Sequence, residues 1–507
     1  MKRIRIISIL LALILLASML LQGVFAAEEP TAEPTEVPWA DDPTGYRENQ
    51  LGGQPDYQAG SHTALLLELN SGIVVYAKNA EERVFPASLT KVMTCLVALK
   101  YAGDMLDSLH VTVSEEALAG IAEAGGEIRL KVGEQMTLRN ALYYLMVVSS
   151  NESANVVAEA VGGDIPSFVN MMNQTAREIG CTDTHFANTH GLHDANHYTT
   201  ARDLSVIVRA ALTYGTFREI VATAEYTVPA TNLSDATRLT TTNYLILNDG
   251  NRYLADNGNY YTYYYDKASG IKTGYTSAAG RCVISRATDG NMDLLCVIMG
   301  ADTRLMEDGS TRYDNFVEAK KLFNYGFDNF AYAKLASSEE CFPAIKATVK
   351  YGDDNRGVVL VPAGDVNCLL PKDYDPSQVG WYETYDNNAL VADLKKGQKV
   401  GTLTMTYDGK PAGSTDLITL TAVSANKVDK VIDKVTGNDK PYAERTTMQK
   451  ILHYWYVPLV ILVSLFFLLV IRNLIYRAWR RREVRIRRQR ETGRKRGRSD
   501  AKDGYRR

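Results

Sequence analysis

Residues 84–94 of this 507-residue chain read VFPASLTKVMT, in which Ser88 precedes Lys91 by three residues and Pro86 stands just ahead of both. Proline is favoured at helix starts, and the apolar run that follows is long enough for a helix. Residues three apart share one face of a helix, so Lys91 is predicted to lie beside Ser88. A lysine on a helix is ordinarily a solvated residue, and the meaning of the pair therefore depends on the rest of the chain.

Two further short patterns follow along the chain. Ser149, Ser150 and Asn151 stand in MVVSSNESAN, at the end of a predicted apolar helix, and Lys272 opens KTG in SGIKTGYT, on a predicted strand. Each pattern alone is weak, because common residues recur by chance. Together and in this order, the SxxK, SxN and KTG patterns are typical of penicillin-binding proteins and serine β-lactamases.

The chemistry of serine nucleophiles explains why these residue types belong together. A serine hydroxyl is a poor nucleophile until a base within hydrogen-bond reach accepts its proton, and Lys91 is the predicted base for Ser88. Lysine acts as a base only when burial or a nearby cation lowers its pKa, and Lys272 is the predicted cation. Ser149 is expected to relay the proton to the leaving amine, and Asn151 to orient Lys91 and the substrate amide.

The hydrophobic pattern predicts one α+β catalytic region. TALLLEL and IVVYAKN, joined at NSG, indicate a β-hairpin, helical patterns dominate residues 137–212, and strands return in GIKTGYTSAAG, RCVISRA and DLLCVIMGA. This order suggests an antiparallel sheet whose first and last strands come from opposite ends of the domain, with helices packed on it. Residues 336–425 show short strand patterns and turns, and they predict a separate small β-rich domain.

Residues 61 to about 330 resemble the serine-type D-alanyl-D-alanine carboxypeptidases, which are low-molecular-mass penicillin-binding proteins. The segments FPASLTKVMT, MVVSSNESANVVAE, GCTDTHFANTHGLHDANHYTTARDL, SGIKTGYTSAAGRC and VIMGADTRLMEDGSTRYDN follow the family's order. Residues 336–425, with KKGQKVGTLTM, are similar to the smaller second domain of these enzymes. The resemblance implies a DD-peptidase and serine β-lactamase-like fold, an antiparallel sheet flanked by helices, with no cofactor and no metal.

The resemblance also implies the reaction. Ser88 would be acylated by the penultimate D-Ala of a peptidoglycan stem peptide ending in D-Ala-D-Ala, the terminal D-Ala would leave, and water would release the acyl group. Penicillins and other β-lactams would acylate the same serine. The implied substrate-binding residues are Lys272, Thr273, Gly274, Tyr275 and Arg312. Backbone N–H groups of Ser88 and Tyr275 are expected to bind the oxyanion. Arg312 is expected to bind the substrate carboxylate, with Arg304 as the alternative.

Both ends of the chain predict export and membrane attachment. Residues 1–26 have three basic residues ahead of an apolar run and read as an export signal, with an uncleaved membrane anchor as the alternative. Residues 454–475 predict a transmembrane helix, and the stretch beyond Ile471 holds sixteen Arg or Lys against four Asp or Glu. The positive tail is therefore expected in the cytoplasm and the catalytic domain outside the cell membrane.

The predicted organisation is a signal peptide at 1–26, a Pro- and Glu-rich linker at 27–60, a catalytic domain at 61–333, a small β-rich domain at 336–425, a linker at 426–453, a single transmembrane helix at 454–475 and a basic tail at 476–507. Topology and binding to anionic lipid head groups explain the basic tail, so we expect membrane lipid and no nucleic acid as its partner.

Other readings of individual residues stay open. His190, His193 and His197 have ligand-like spacing, which a zinc-dependent peptidase would use, although glycine and asparagine in the same segment favour a loop without metal. Five tyrosines between residues 260 and 265 either line a substrate cleft or brace a loop. The six cysteines lack CxxC spacing, so most are expected to be buried thiols, with one disulfide left open.

Rival functions on the same pattern are a DD-endopeptidase, a β-lactamase and a non-catalytic scaffold that binds the wall or senses penicillin. A β-lactamase needs a base for fast deacylation, commonly a Glu in an ExxLN-type loop, and no such motif stands between Glu152 and Asp203. A scaffold has no need of a buried base beside a serine. The pattern therefore favours a peptidase, without deciding between carboxypeptidase and endopeptidase.

Overall fold

The computed structural model of the chain describes residues 58–122, 127, 129–337, 345–350, 357–387, 390–425, 431, 434 and 456–499. These residues fall into two compact units. The first comprises the described residues of Met1–Pro343, Val361–Asp386 and Val400–Ile418, and the second those of Ala344–Leu360, Asn387–Lys399 and Thr419–Arg507. The predicted active-site residues, from Ser88 to Arg312, all belong to the first unit.

The helices and strands of the described residues are as follows. The helices are α1 (Lys91–Ala102), α2 (Glu115–Leu118), α3 (Leu138–Met146), α4 (Asn151–Gly162), α5 (Ile165–Glu178), α6 (Ala201–Leu212), α7 (Gly215–Ala222), α8 (Asp314–Asn329) and α9 (Tyr456–Ser499), with 3-10 turns at Ala87–Thr90, Gly103–Asp107 and Pro376–Gln378. The strands are β1 (Thr63–Glu68), β2 (Val74–Lys78), β3 (His110–Thr112), β4 (Gln135–Thr137), β5 (Glu225–Val228), β6 (Thr237–Thr240), β7 (Arg252–Leu254), β8 (Tyr260–Thr262), β9 (Ala268–Thr276), β10 (Gly280–Asp289), β11 (Met292–Ala301), β12 (Thr303–Leu305), β13 (Thr311–Tyr313), β14 (Phe330–Ala336), β15 (Ile345–Ala347), β16 (Val358–Pro362), β17 (Val366–Pro371), β18 (Val379–Tyr385), β19 (Lys399–Tyr407) and β20 (Lys410–Thr419).

A five-stranded antiparallel sheet organises the catalytic region, with the strand order β2-β1-β11-β10-β9. As predicted, strands from opposite ends of the domain are joined in this sheet. Strand β1 pairs with β11, and Leu65 lies opposite Val297. All six residues of β1 are buried, as expected for a strand covered on both faces. Helices α6 and α8 both pack on β1 and β11, and α7 packs on β9. Strand β9 is left at one edge of this sheet, where the KTG segment is accessible.

The first helix begins later than the sequence suggested. Ser88 lies in the 3-10 turn Ala87–Thr90, and α1 begins at Lys91. In a 3-10 helix, side chains at positions i and i+3 eclipse each other, so the turn still stacks Lys91 against Ser88. The predicted neighbourhood of the two residues is therefore kept, although the helix start was placed three residues too early.

Short strands follow the catalytic region, as the pattern between 336 and 425 predicted. Strand β14 pairs with β17, β15 with β16, and β18 with β19, all antiparallel. The predicted signal at 1–26, most of the linkers at 27–60 and 426–453, and the last eight residues lie outside the described residues. Over the described part of the chain, no helix combines the length and the apolar character that crossing a membrane requires.

Five cysteines of the described residues are buried: Cys95, Cys181, Cys282, Cys296 and Cys368. Cys341 lies outside the described residues.

Candidate active site

The turn that carries Ser88 is held in an uncommon backbone conformation. Ala87 has φ of 47°, a left-handed value that an L-residue adopts only when its surroundings impose it. Gly191 supplies part of that constraint, since a Cβ built on it would lie 1.8 Å from the carbonyl oxygen of Ala87. The hydroxyl of Thr90 donates to the same carbonyl at 2.8 Å. The backbone on either side of the serine is thus tightly packed.

Lys91 is fully buried, and its Nζ has three oxygen partners. It lies 2.9 Å from Ser88 Oγ, 2.7 Å from Asn151 Oδ1 and 2.7 Å from the carbonyl oxygen of His190. The amide and carbonyl oxygens are obligatory acceptors, whereas the hydroxyl both donates and accepts. A neutral amine has two N–H groups and one lone pair. When its two N–H groups bond the obligatory acceptors, the lone pair faces the Ser88 hydroxyl.

The electrostatics favour the neutral form of Lys91. Burial lowers the pKa of Lys91 well below its usual value, and the charge of Lys272 lowers it further, while Glu152 opposes this with a smaller effect. Burial also lowers the pKa of Lys272, to about 7. Both buried lysines therefore have a lowered pKa, and the charge of Lys272 is one of the causes for Lys91.

The SxN segment lies between α3 and α4. Ser150, and not Ser149, caps α4, with its side chain accepting a hydrogen bond from Ser153 N at 3.0 Å. Ser149 itself has φ of 61°, a second left-handed residue at this site, and its side chain lines the cavity described below. Asn151 is the first residue of α4 and holds Lys91 through its amide oxygen. Ser150 therefore caps the helix, while its neighbours Ser149 and Asn151 belong to the site.

The KTG segment on β9 closes the site from the sheet side. Gly274 approaches the Ser88 turn so closely that a Cβ on it would lie 3.1 Å from Ser88 N. Lys272 is buried, and its Nζ donates to the carbonyl oxygen of Thr273 at 3.0 Å. The hydroxyl of Thr273 bonds that of Thr242, which belongs to a separate segment. The absence of a side chain at Gly274 permits this close approach between sheet and turn.

A cavity of about 430 Å³ opens where these segments meet. Its lining residues are Ser88, Ser149, Thr241, Thr242, Tyr244, Thr273, Gly274, Tyr275, Arg281, Cys282, Tyr313, Asn315 and Phe316. Five predicted site residues are among them: Ser88, Ser149, Thr273, Gly274 and Tyr275. The other three motif residues, Lys91, Asn151 and Lys272, are absent from the lining, but Lys91 bonds both Ser88 and Asn151.

The predicted carboxylate-binding arginine is placed elsewhere. Arg312 is 4 % exposed and does not line the cavity. Its Nε donates to Asp314 at 2.6 Å and its Nη1 to Asp256 at 2.8 Å, so the guanidinium is already engaged by carboxylates. Arg304, the alternative, pairs with Asp314 at 2.6 Å. In this structure Arg312 is thus part of an ion-pair cluster with Asp314 and Asp256 instead of facing the cavity.

Comparison with known proteins places this geometry in a family. The family model for D-alanyl-D-alanine carboxypeptidases matches residues 49–303, half of the chain. The chain belongs to the D-alanyl-D-alanine carboxypeptidase family. A second family model, for the C-terminal domain of penicillin-binding protein 5, matches residues 330–425 of this family member.

Relatives of this carboxypeptidase family align over most of their own length. D-alanyl-D-alanine carboxypeptidase DacA of Haemophilus influenzae is 32 % identical over 373 residues, which is 73 % of this chain and 86 % of the relative. DacF of Bacillus subtilis is 29 % identical over 350 residues, 69 % of this chain and 82 % of the relative. The crystal structure of penicillin-binding protein 5 from Haemophilus influenzae has a TM-score of 0.56 and 30 % identity, covering 74 % of this chain and all of that one.

The histidines of this family member serve the fold in the described structure. The ring of His197 accepts a hydrogen bond from Ala187 N at its Nδ1, which leaves Nε2 to donate to Thr90 at 2.7 Å. His190 Nδ1 accepts from Leu192 N, and His193 packs edge-on against Phe85. Within the described residues, no group of three or more His, Cys, Asp or Glu is arranged to hold a metal ion.

Several cavity residues of this carboxypeptidase-family chain escaped the sequence analysis. None of the five tyrosines at 260–265 lines the cavity; Tyr263 accepts a hydrogen bond from Tyr313 N at 2.9 Å, as a loop brace would. Tyr244 and Arg281 do line it. Arg281 had a usable signal, because the hairpin of β9 and β10 pairs it with Tyr275 in the KTG strand. Tyr244 and the residues of α8 had none, since they reach the cavity only through tertiary packing.

Proposed function

We propose that this chain is a serine-type DD-carboxypeptidase that removes the terminal D-Ala from peptidoglycan stem peptides through an acyl-enzyme on Ser88. The observation that carries the proposal is the environment of Lys91 Nζ, which holds two obligatory acceptors and one serine hydroxyl within 2.9 Å. Membership of the carboxypeptidase family supports the substrate class.

Acylation begins with proton transfer from Ser88 Oγ to Lys91 Nζ. Ser88 Oγ then attacks the carbonyl carbon of the penultimate D-Ala, and the carbonyl oxygen becomes an oxyanion. The backbone N–H groups of Ser88 and Tyr275 bind that oxyanion in the proposed mechanism, with Gly274 bringing their segments together. Lys91 is now a cation close to Lys272, whose charge already lowers the pKa of Lys91. This repulsion favours passing the proton on.

The proton leaves Lys91 toward the departing amine. Ser149, which lines the cavity together with Ser88, is the proposed relay to the nitrogen of the terminal D-Ala. The C–N bond breaks, D-Ala leaves with a neutral amine, and Ser88 carries the acyl group. Water then attacks the ester carbonyl while Lys91 takes a proton from it, the C–O bond to Ser88 Oγ breaks, Lys91 returns the proton to that oxygen, and the shortened stem peptide leaves as a carboxylic acid. Ser88 and Lys91 return to their starting states.

Two rival functions make different demands on the cavity. A β-lactamase hydrolyses the penicilloyl ester quickly, which requires a base beside the deacylating water. None of the described residues that line the cavity is acidic, which favours a long-lived penicilloyl adduct. A non-catalytic scaffold would not require the burial of Lys91, which is costly unless the amine is neutral or paired. A DD-endopeptidase uses the same groups and differs in the substrate that it accepts.

The full-length chain in detergent tests the proposal with a labelled penicillin and a pentapeptide ending in D-Ala-D-Ala. We expect a long-lived adduct on Ser88 and release of one D-Ala, with Ser88→Ala losing both. Ser277→Ala, in the exposed turn between β9 and β10, is the matched control and should retain both activities. An adduct without D-Ala release would support the penicillin-sensing scaffold, and rapid penicillin turnover would support the β-lactamase. Cross-linked peptide dimers are tested as a third substrate, and cleavage of these dimers alone would support the endopeptidase.

We also propose that the chain is attached to the cell membrane by residues 454–475, with the catalytic domain outside and the basic tail inside. The apolar composition of this stretch and the sixteen basic residues beyond Ile471 support the proposal. Carbonate washing of membranes and protease treatment of spheroplasts test it. Retention of the chain after washing, with the catalytic domain cleaved and the tail protected, is the expected result; release by carbonate contradicts it.

A further inference from the structure

The cavity has one charged lining residue. Among the thirteen residues that line it, twelve are neutral and the remaining one is Arg281. A substrate that ends in a carboxylate must bring its negative charge into this cavity when it reaches Ser88. Burying that charge without a cationic partner is strongly unfavourable. Among the described lining residues, Arg281 is therefore the one whose charge can balance that of a substrate carboxylate.

The register of the sheet places Arg281 beside the KTG segment. Strand β10 pairs with β9 so that Arg281 lies opposite Tyr275, the residue after Gly274. Side chains alternate between the two faces of a strand, so Thr273 and Tyr275 share a face, and a residue directly opposite Tyr275 projects on that face as well. Arg281 and Thr273 thus lie on the same side of the sheet, and both line the cavity.

The guanidinium of Arg281 is held in a defined position. Its Cζ lies 4.3 Å from the ring centroid of Tyr275 and 4.6 Å from that of Tyr313. Its Nε donates to Thr303 Oγ1 at 3.2 Å. Within the described part of the chain, Arg281 forms no salt bridge. Its terminal N–H groups are accordingly left for a ligand, on a side chain whose rotamer freedom is already restricted.

The other two arginines near this end of the sheet differ in this respect. Arg312 is tied to Asp314 and Asp256, and Arg304 to Asp314. Recruiting Arg312 for a substrate carboxylate would take Asp256 from its partner, and recruiting either arginine would remove one of the two guanidinium partners of the buried Asp314. Arg281 could bind a substrate carboxylate without giving up a salt bridge to any described carboxylate of the protein.

We infer that Arg281 binds the C-terminal carboxylate of the acyl donor, with the Thr273 hydroxyl as its neighbour on the same face. The inference rests on the proposed function and names the residue that selects its substrates. A planar guanidinium fits a carboxylate through two parallel hydrogen bonds. The aromatic contacts of Arg281 orient this fork toward the cavity, so the carboxylate is recognised by geometry as well as by charge.

A pair of substrates that differ only at the C-terminus tests the inference. Diacetyl-L-Lys-D-Ala-D-Ala and its C-terminal carboxamide are compared as substrates of the full-length chain, by kcat/KM. The wild-type protein should prefer the free acid. Arg281→Gln should lower kcat/KM for the acid on the order of 100-fold, the value expected for loss of a charge-assisted hydrogen-bonded pair. The same variant should change kcat/KM for the carboxamide less than about threefold, so the preference disappears.

Two further variants complete the test. Arg286→Gln changes an arginine of the same strand that is paired with Asp293, and it should keep the wild-type preference. Arg281→Lys keeps the positive charge but cannot form two parallel hydrogen bonds to a carboxylate, so it should reduce the preference for the free acid about tenfold. This variant provides the test if Arg281→Gln fails to fold. Wild-type preference in either Arg281 variant overturns the inference, as does loss of preference in Arg312→Gln alone. Absence of D-Ala release by the wild-type protein instead contradicts the proposed function.

Discussion

Gly274 on β9 lies in direct contact with the turn that carries Ser88, with no room for a side chain between them. A Cβ on Gly274 would meet Ser88 N at 3.1 Å, the Ala87 Cβ at 3.2 Å and the Pro86 carbonyl oxygen at 3.2 Å. Backbone atoms do not yield as a flexible side chain does. Any side chain at Gly274 must therefore displace β9 from the turn.

Substitution of Gly274 should impair acylation more than stability. Gly274→Ala is expected to slow acylation by labelled penicillin about tenfold, because contacts this tight require a shift of a few tenths of an ångström at the reacting centre, where about 1 Å costs about 100-fold. Gly364→Ala, where an added Cβ meets nothing within 4 Å, is the control and should react at the wild-type rate. An unchanged rate in Gly274→Ala would show that the close approach has no part in the chemistry.

Replacing the buried lysine by a permanent cation should abolish the base. Lys91→Arg introduces a permanent positive charge that cannot accept the Ser88 proton, so the acylation rate should fall about 10²- to 10⁴-fold, the usual contribution of a general base. Lys100→Arg, on the same helix and paired with Glu178, should behave as the wild type. Stopped-flow fluorescence with a penicillin reporter gives both rates, and a fall of less than tenfold in Lys91→Arg contradicts the assignment.

The two lysines should produce opposite limbs in the pH profile of kcat/KM. At acid pH, protonation of Lys91 removes the base, and activity should fall. Burial lowers the pKa of Lys272 to about 7, so Lys272 should lose its charge as the pH rises through that value. Affinity for an anionic substrate should fall with it. The free-enzyme pKa values appear in kcat/KM, measured from pH 5 to 10.

Lys272→Arg separates these limbs. Arginine stays cationic over the whole range, so the decline above pH 7 should disappear while the acid limb remains. An alkaline decline that persists unchanged in this variant would assign it to another group.

Buried histidines should make the fold sensitive to acid. Burial lowers the pKa of His190 to about 3 and that of His197 to about 4, against about 6.5 in an unfolded chain. Between those values the unfolded chain binds protons that the folded chain does not. The free energy of unfolding should therefore fall as the pH drops from about 6.5 to about 4, on the order of a few kcal/mol.

Urea unfolding at a series of pH values measures this dependence. His197→Gln removes one of the two groups, so its free energy of unfolding should depend less steeply on pH than that of the wild type, even if its stability at pH 7 is lower. His62→Gln, at an exposed site, is the control. Identical slopes for His197→Gln and the wild type would contradict the prediction.

Local patterns were sufficient to predict the central sheet and to name most of the motif residues that the structure brings together. The alternation in β1 and β2, the apolar helices and the three short motifs are encoded by neighbouring residues, and the central antiparallel sheet was predicted on that basis. The contact between Lys91 and Ser88 depends on three residues of separation, which both 3-10 and α-helical turns convert to proximity. A lysine in that position acts as a base only if its pKa is lowered, so burial and a nearby cation could be predicted as well.

Which arginine has a guanidinium free to face the cavity could not be predicted from the sequence, because that depends on charge partners in three dimensions. Arg312 and Arg281 are both arginines near the end of the catalytic region, and sequence position alone favoured Arg312. Its commitment to Asp256, 56 residues away, becomes visible only in three dimensions. Ser149 and Ser150 are likewise chemically identical, and only the backbone turn makes Ser150 the cap of α4 and leaves Ser149 at the cavity.

The partners of Lys91 lie 3, 60 and 99 residues away along the chain. Before these segments meet, the amine is hydrated and cationic, and the serine next to it is an ordinary alcohol. We therefore expect a nascent or half-folded chain to be unreactive toward penicillin and to become reactive only at the last stage of folding. A fluorescent penicillin added during refolding would then act as a clock for that stage, since each molecule is labelled only once its helices and sheet have docked.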